Sequence, residues 1–144
     1  APANKADALQ EVAKKYVGTD SDGRLADADL RTRIANHLMD AQAHGLTVAR
    51  ITAEARGNPK VSAAASILKN SATKVAQTKS ELTMELMGNQ GIGWEGDHFT
   101  ANELNNVREW LSGKAISIYG GSYEVQNNII SKNILGLPET TQKG

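Results

Sequence analysis

Apolar positions recur at spacings of three and four along nearly the whole chain, and no segment alternates with the period of two expected of a half-buried strand. The first predicted helix covers residues 3–17, with Ala6, Leu9, Ala13 and Val17 or Tyr16 inward, and the turn-rich run GTDSDGR ends it. A second begins near Asp27 as N-cap, carries Leu30, Ile34, Leu38, Ala41, Val48 and Ile51, and stops at RGNP. At 1.5 Å per residue it should be roughly 40 Å long. The third follows Pro59 and turns Ala64, Leu68, Ser71, Val75, Leu82 and Leu86 to one narrow face, with Gly88 as terminator.

Four glycines between residues 88 and 96, in GNQGIGWEGD, predict a shaped loop rather than regular structure, with Trp94 packed down as a plug. Trp110 is expected in the core. Thr100 and Glu103 form a T-x-x-E capping box for a fourth helix carrying Leu104, Val107, Leu111 and Ala115. A fifth starts at Ser122 as N-cap, carries Val125, Ile129 and Ile130, and closes at Gly136 with Pro138 beyond. The expected fold is all-α, an antiparallel four-helix bundle with an additional C-terminal helix, in one domain spanning residues 1–144.

Charge narrows the function. Sixteen basic and 16 acidic side chains cancel, so no global field favours nucleic acid or an anionic membrane. The chain has no cysteine, which excludes disulfides, a thiol nucleophile and thiolate metal sites and fits a cytoplasmic protein. No apolar run reaches the ~20 residues of a membrane span, and the start lacks the apolar core of a signal peptide. Helical pattern begins almost at residue 1 without an initiator Met, so the chain is expected to be a piece of a longer one.

Three places invite chemistry. His37, Asp40 and His44 share a helical face, but no Glu-x-x-His pair accompanies them, so a polar stripe beside the core is expected rather than a metal site. GNQGIGWEG lacks the G-x-G-x-x-G spacing, a preceding strand and a following Lys-Ser/Thr, and is expected to be a helix connection rather than a phosphate loop. In SIYGGSYEVQ a helix opens on Gly-Gly-Ser. Such a start is either an anion site made of unpaired N–H groups and the helix dipole or an ordinary capped end, and these residues alone do not choose.

The wider stretch SIYGGSYEVQNNIISKNILGLP chooses. It closely resembles the C-terminal signature of the acyl-CoA dehydrogenases, a Tyr-x-Gly-Thr/Ser-x-Glu-(Ile/Val)-Gln helix start closed by Leu-Gly-Leu-Pro. LRTRIANHLMDAQAHGLTVAR, SILKNSATKVAQ, ELMGNQGIGWEGD and REWLSGKAISIYGG agree in order and spacing, so the likeness covers roughly residues 22–138. The resemblance implies the last of three domains of an FAD-dependent flavoprotein that oxidises an acyl-CoA thioester between its α and β carbons in fatty acid metabolism. Such enzymes are commonly homotetramers acting in β-oxidation, and they pass electrons to electron-transfer flavoprotein or a similar acceptor. Alone, this chain should neither hold FAD firmly nor turn over.

The resemblance also implies site residues. The turn before the last helix lies against FAD in the family, which gives Gly120, Gly121, Ser122 and Glu124 contacts on the adenine side. Gly88 and Gly91 match two glycines of a Gln-x-x-Gly-Gly-x-Gly loop that reaches the FAD of a neighbouring subunit, although Glu85 replaces its Gln and Asn89 its second Gly. Many members carry the catalytic glutamate at the position of Gly120, and Asn127 stands where Arg is usual. Glycine cannot remove a proton, so no catalytic residue is expected in this chain. The base then lies upstream, or the chain is a base-lacking, silent subunit or helical interaction module of a mixed oligomer, or activity is lost; the first is preferred.

Overall fold

In a computed structural model of the chain, residues 8–55 and 64–138 are described. They are all-α: α1 (Leu9–Tyr16), α2 (Ala28–Ala55), α3 (Ala64–Met87), α4 (Ala101–Gly113) and α5 (Tyr123–Asn133), with 3-10 turns at Gly88–Ile92 and Lys114–Ser117. No strand occurs among the described residues, only an isolated antiparallel bridge between Thr19 and Leu25. The expectations for residues 3–7, RGNP and Pro59 lie outside them. The 28 residues of α2 make it about 42 Å long. The chain divides into two compact units, Ala1–Met39 with Ala76–Gly113 and Asp40–Val75 with Lys114–Gly144, and α2 and α3 each contribute to both.

The first unit has a hydrocarbon core. Leu9, Val12 and Ala13 of α1 meet Leu30 and Ile34 of α2 and Leu82, Leu86 and Met87 of α3, and Tyr16, Val17, Leu25 and Met84 pack around them. Asp27 caps α2 as its sequence predicts: Leu30 N donates to Asp27 Oδ1 at 2.9 Å. The predicted box at α4 is present too, with Thr100 N donating to Glu103 Oε2 at 2.7 Å and Glu103 N to Thr100 Oγ1 at 3.3 Å. The Tyr16 hydroxyl donates to Glu103 Oε1 at 2.5 Å, so a local cap also ties α1 to α4. This hydrogen bond and those from Thr100 hold the buried Glu103 carboxyl below the usual carboxylate range.

Several inward assignments shift by one residue. Leu38 is 40% exposed and His37 is buried in its stead, because the positions continuing from Leu30 and Ile34 at alternating steps of three and four are 37, 41 and 44; Val48, expected inward, is exposed. Trp94 is no plug: it is 54% exposed, with Arg108 over its ring at 5.4 Å and bonded to its carbonyl at 3.1 Å. Phe99 takes the inner place, so close to Gly93 that a Cβ there would lie 2.5 Å from its ring. Residues 88–92 coil as a 3-10 turn rather than an irregular loop. Trp110 is half-buried rather than in the core, Leu111 is exposed, and Ala115 lies beyond α4.

The second unit is held by polar groups. Ile51 is its buried large aliphatic among the described residues, while Ser66, Thr73 and Gln126 are buried polar ones. Ser71 Oγ donates to Leu68 O at 3.1 Å and lies 2.8 Å from His44 Nδ1. With the hydroxyl hydrogen so directed, His44 donates from Nδ1. Asp40 pairs with Lys74 at 3.1 Å.

Candidate functional site

α5 begins at a turn whose two glycines are required for different reasons. Gly120 and Gly121 have φ of +69° and +93°, the left-handed region that disfavours side chains. A Cβ on Gly120 would meet nothing within 4 Å, whereas one on Gly121 would lie 2.6 Å from Gln126 Nε2. Gly120 therefore faces open space, and Gly121 admits the Gln126 side chain. Gln126 Nε2 donates to Gly120 O at 2.7 Å, and Lys69 Nζ, from α3, donates to Gly121 O at 2.6 Å.

Ser122 is the N-cap as predicted, its hydroxyl oxygen accepting from Val125 N at 3.4 Å. Burial within α5 differs from expectation: Val125 is 49% exposed, and Gln126 takes the inward position. The exposed Glu124 carboxyl is held below the usual carboxylate range, chiefly by the Ser122 hydroxyl and then by its own backbone N–H. The chain thus supplies its own anion to the helix start. Ile118 and Tyr119, both exposed, add apolar and aromatic surface just before the turn.

Two hydrogen bonds fix α5 against α3. Tyr123 Oη donates to Asn70 O, and Asn70 Nδ2 to Asn127 Oδ1, each at 2.9 Å. Asn127 thus makes an amide contact with α3. Lys69, Asn70 and Gln126 were not singled out from sequence. Gln126 lies inside the quoted signature, but Lys69 and Gly121 are 52 residues apart and no local pattern links them.

Gly88 and Gly91 belong to the first unit, in the 3-10 turn after α3. Gly88, at φ +54°, ends the helix as predicted. Gly91 is buried, and a Cβ on it would lie 2.7 Å from Met84 O. These glycines line a groove of about 790 Å³ with Ile92, Trp94, Trp110 and Leu111. At its edge Glu85 forms a two-pronged ion pair with Arg33, at 2.6 and 2.5 Å, so the charge introduced where the family has Gln is compensated. On the His37, Asp40 and His44 face, Asp40 is engaged by Lys74 and His44 by Ser71; among the described residues no three or more His, Cys, Asp or Glu are grouped so as to hold an ion. No helix among the described residues is long and apolar enough to cross a membrane.

Comparison with known proteins agrees with the signature. Residues 3–135 match the family model described as acyl-CoA dehydrogenase, C-terminal domain. The chain is similar to acyl-CoA dehydrogenase IpdE1 of Mycolicibacterium smegmatis and to IpdE1 of Mycobacterium tuberculosis, each 40% identical over 58 residues. That match covers 40% of this chain and 14% of either relative. The ChsE4-ChsE5 complex from Mycobacterium tuberculosis contains a chain of similar fold, with a TM-score of 0.69 at 22% identity over 92% of this chain and 35% of that one.

Proposed function

Because the chain belongs to the acyl-CoA dehydrogenase family, as a C-terminal domain, we propose that it is the last domain of a three-domain, FAD-dependent enzyme that desaturates an acyl-CoA thioester. The observation that carries this reading is the α5 turn, where Gly120, Gly121, Ser122 and Glu124 follow the order of the family signature. The turn fits the adenine side of FAD. Gly120 leaves the approach to the turn open, with nothing within 4 Å of where a Cβ would stand, and the Glu124 carboxylate in the first turn of α5 suits ribose hydroxyls or an exocyclic amine better than a phosphate.

FAD, when bound, supplies the acceptor for the hydride leaving the β carbon. Around it, the turn brings backbone close to the ligand and Glu124 accepts hydrogen bonds from it. Gly88 and Gly91 present the 3-10 turn to the FAD of a neighbouring subunit. Gly120 holds no proton acceptor. Glu124, ionised with its pKa lowered, is a weak base suited to accepting hydrogen bonds rather than removing an α proton. The base is therefore contributed by residues outside this chain. The domain forms one wall of the acyl-CoA crevice and part of the oligomer interface, in a cytoplasmic enzyme of fatty acid oxidation that passes electrons to electron-transfer flavoprotein or a similar acceptor. This chain alone neither retains FAD nor turns over.

The test is the visible spectrum of the protein made from its complete coding sequence, before and after anaerobic addition of mixed acyl-CoA thioesters. Flavin bands that bleach support the reading. Bands that persist move the choice to a second one, a catalytically silent subunit of a mixed oligomer. That second reading rests on the missing carboxylate at Gly120 and on the fold shared with a ChsE4-ChsE5 complex.

A further inference from the structure

We propose that Lys69 and Gln126 are positioning residues for the cofactor turn: together they draw its two glycine carbonyls to the protein side and so present the Gly121 and Ser122 N–H groups on the other. The inference rests on the reading that this turn meets FAD. Its geometry follows from the peptide bond. In a trans peptide the C=O and the next N–H point in opposite directions across one rigid plane. No peptide bond among the described residues is cis. Gln126 Nε2 holds Gly120 O at 2.7 Å, which turns the Gly121 N–H away from Gln126. Lys69 Nζ holds Gly121 O at 2.6 Å, which turns the Ser122 N–H away from Lys69.

Lys69 stands where helix electrostatics disfavours it. A cation beside a helix N-terminus opposes the macrodipole, and partial burial of an ammonium costs solvation. The site tolerates both because the ammonium has a short, charge-assisted bond to the Gly121 carbonyl. Left-handed glycines have broad conformational freedom, so without these two donors the turn has little to fix its peptide planes. Asn70, the next residue of α3, receives the Tyr123 hydroxyl on its carbonyl, which sets α5 at the height where Lys69 reaches the turn.

The test measures FAD affinity by flavin fluorescence, and melting temperature in parallel, on the protein made from its complete coding sequence. Lys69→Met and Gln126→Met are each expected to weaken FAD binding about tenfold, the weight of one strong hydrogen bond. Lys69→Arg, which keeps the donor and the charge, should stay within about threefold of wild type. Ile51→Val, which loosens the same unit at a buried residue of α2 outside the turn, should lower the melting temperature and leave FAD affinity unchanged. Affinity within twofold of wild type in both Met variants overturns the proposal while sparing the FAD reading, and so does an equal loss in Ile51→Val. If Lys69→Met does not fold, Gln126→Met decides by the same criterion. A wild-type protein that binds no FAD overturns both.

Discussion

The two units are stabilised by different means. In the first, eight buried apolar side chains from α1, α2 and α3 form a continuous hydrocarbon cluster. In the second, much of the interior is polar: His44 with Ser71, Lys69 with Gly121, Gln126 with Gly120, and Tyr123 with Asn70. Hydrocarbon contact is non-directional and tolerates small displacements, whereas a hydrogen bond weakens steeply once its angle is lost. The first means suits a scaffold. The second fixes orientation, and the second unit contains the turn whose peptide planes must be aimed.

That contrast can be broken or sharpened by substitution. Leu82→Ala removes a fully buried side chain from the hydrocarbon cluster and should cost about 2–5 kcal/mol in chemical denaturation. A loss under about 1 kcal/mol would mean that the cluster does not carry the first unit. Glu103→Gln strikes the polar clamp within that unit, at Tyr16 and Thr100, and should cost about 1–3 kcal/mol.

Its pH dependence has a definite sign. The Glu103 carboxyl is held below its ordinary range by Tyr16 and Thr100, so its contribution is complete above the unfolded-state carboxylate pKa and disappears as pH falls through the folded one. The wild type should lose its advantage over Glu103→Gln on acidification. A gap independent of pH would contradict the assignment. Tyr16 behaves oppositely: burial, then the Glu103 hydrogen bond, raises its phenol. Its contribution is present below the ordinary tyrosine value and is lost as pH rises through the folded one.

Smaller effects belong to the second unit and the surface. Ser71→Ala removes the hydroxyl between His44 and Leu68 and should cost about 0.5–1.5 kcal/mol. Lys14→Ala breaks an exposed pair with Glu11 at 3.2 Å and should change stability by less than about 0.5 kcal/mol. If Ser71→Ala were as mild as Lys14→Ala, the polar interior would be incidental to holding the second unit.

Legibility in the sequence followed the same division. Leu9, Ala13, Leu30, Ile34, Leu82 and Leu86 were readable because an apolar repeat of three and four reports a hydrocarbon face directly. Asp27, Thr100 with Glu103, and Ser122 were readable because caps are local. Leu38 and Val125 were misplaced, since the polar residues that take the inward positions, His37 and Gln126, break the repeat and leave the apolar neighbour as the better fit to it. Phe99 was missed because it packs on Gly93 from six residues away, while Trp94 had the larger ring and the nearer position. Of the α5 turn, the glycines and the cap could be read locally. Lys69 could not, because its bond to Gly121 depends on how α3 and α5 meet.

Amide hydrogen exchange of the protein made from its complete coding sequence, with and without saturating FAD, tests the central claim most directly. The account predicts that the peptide covering residues 118–126 slows on FAD addition, with protection lost in Lys69→Met at the same FAD concentration. Full FAD occupancy with unchanged exchange in that peptide would contradict it and place the cofactor away from the α5 turn.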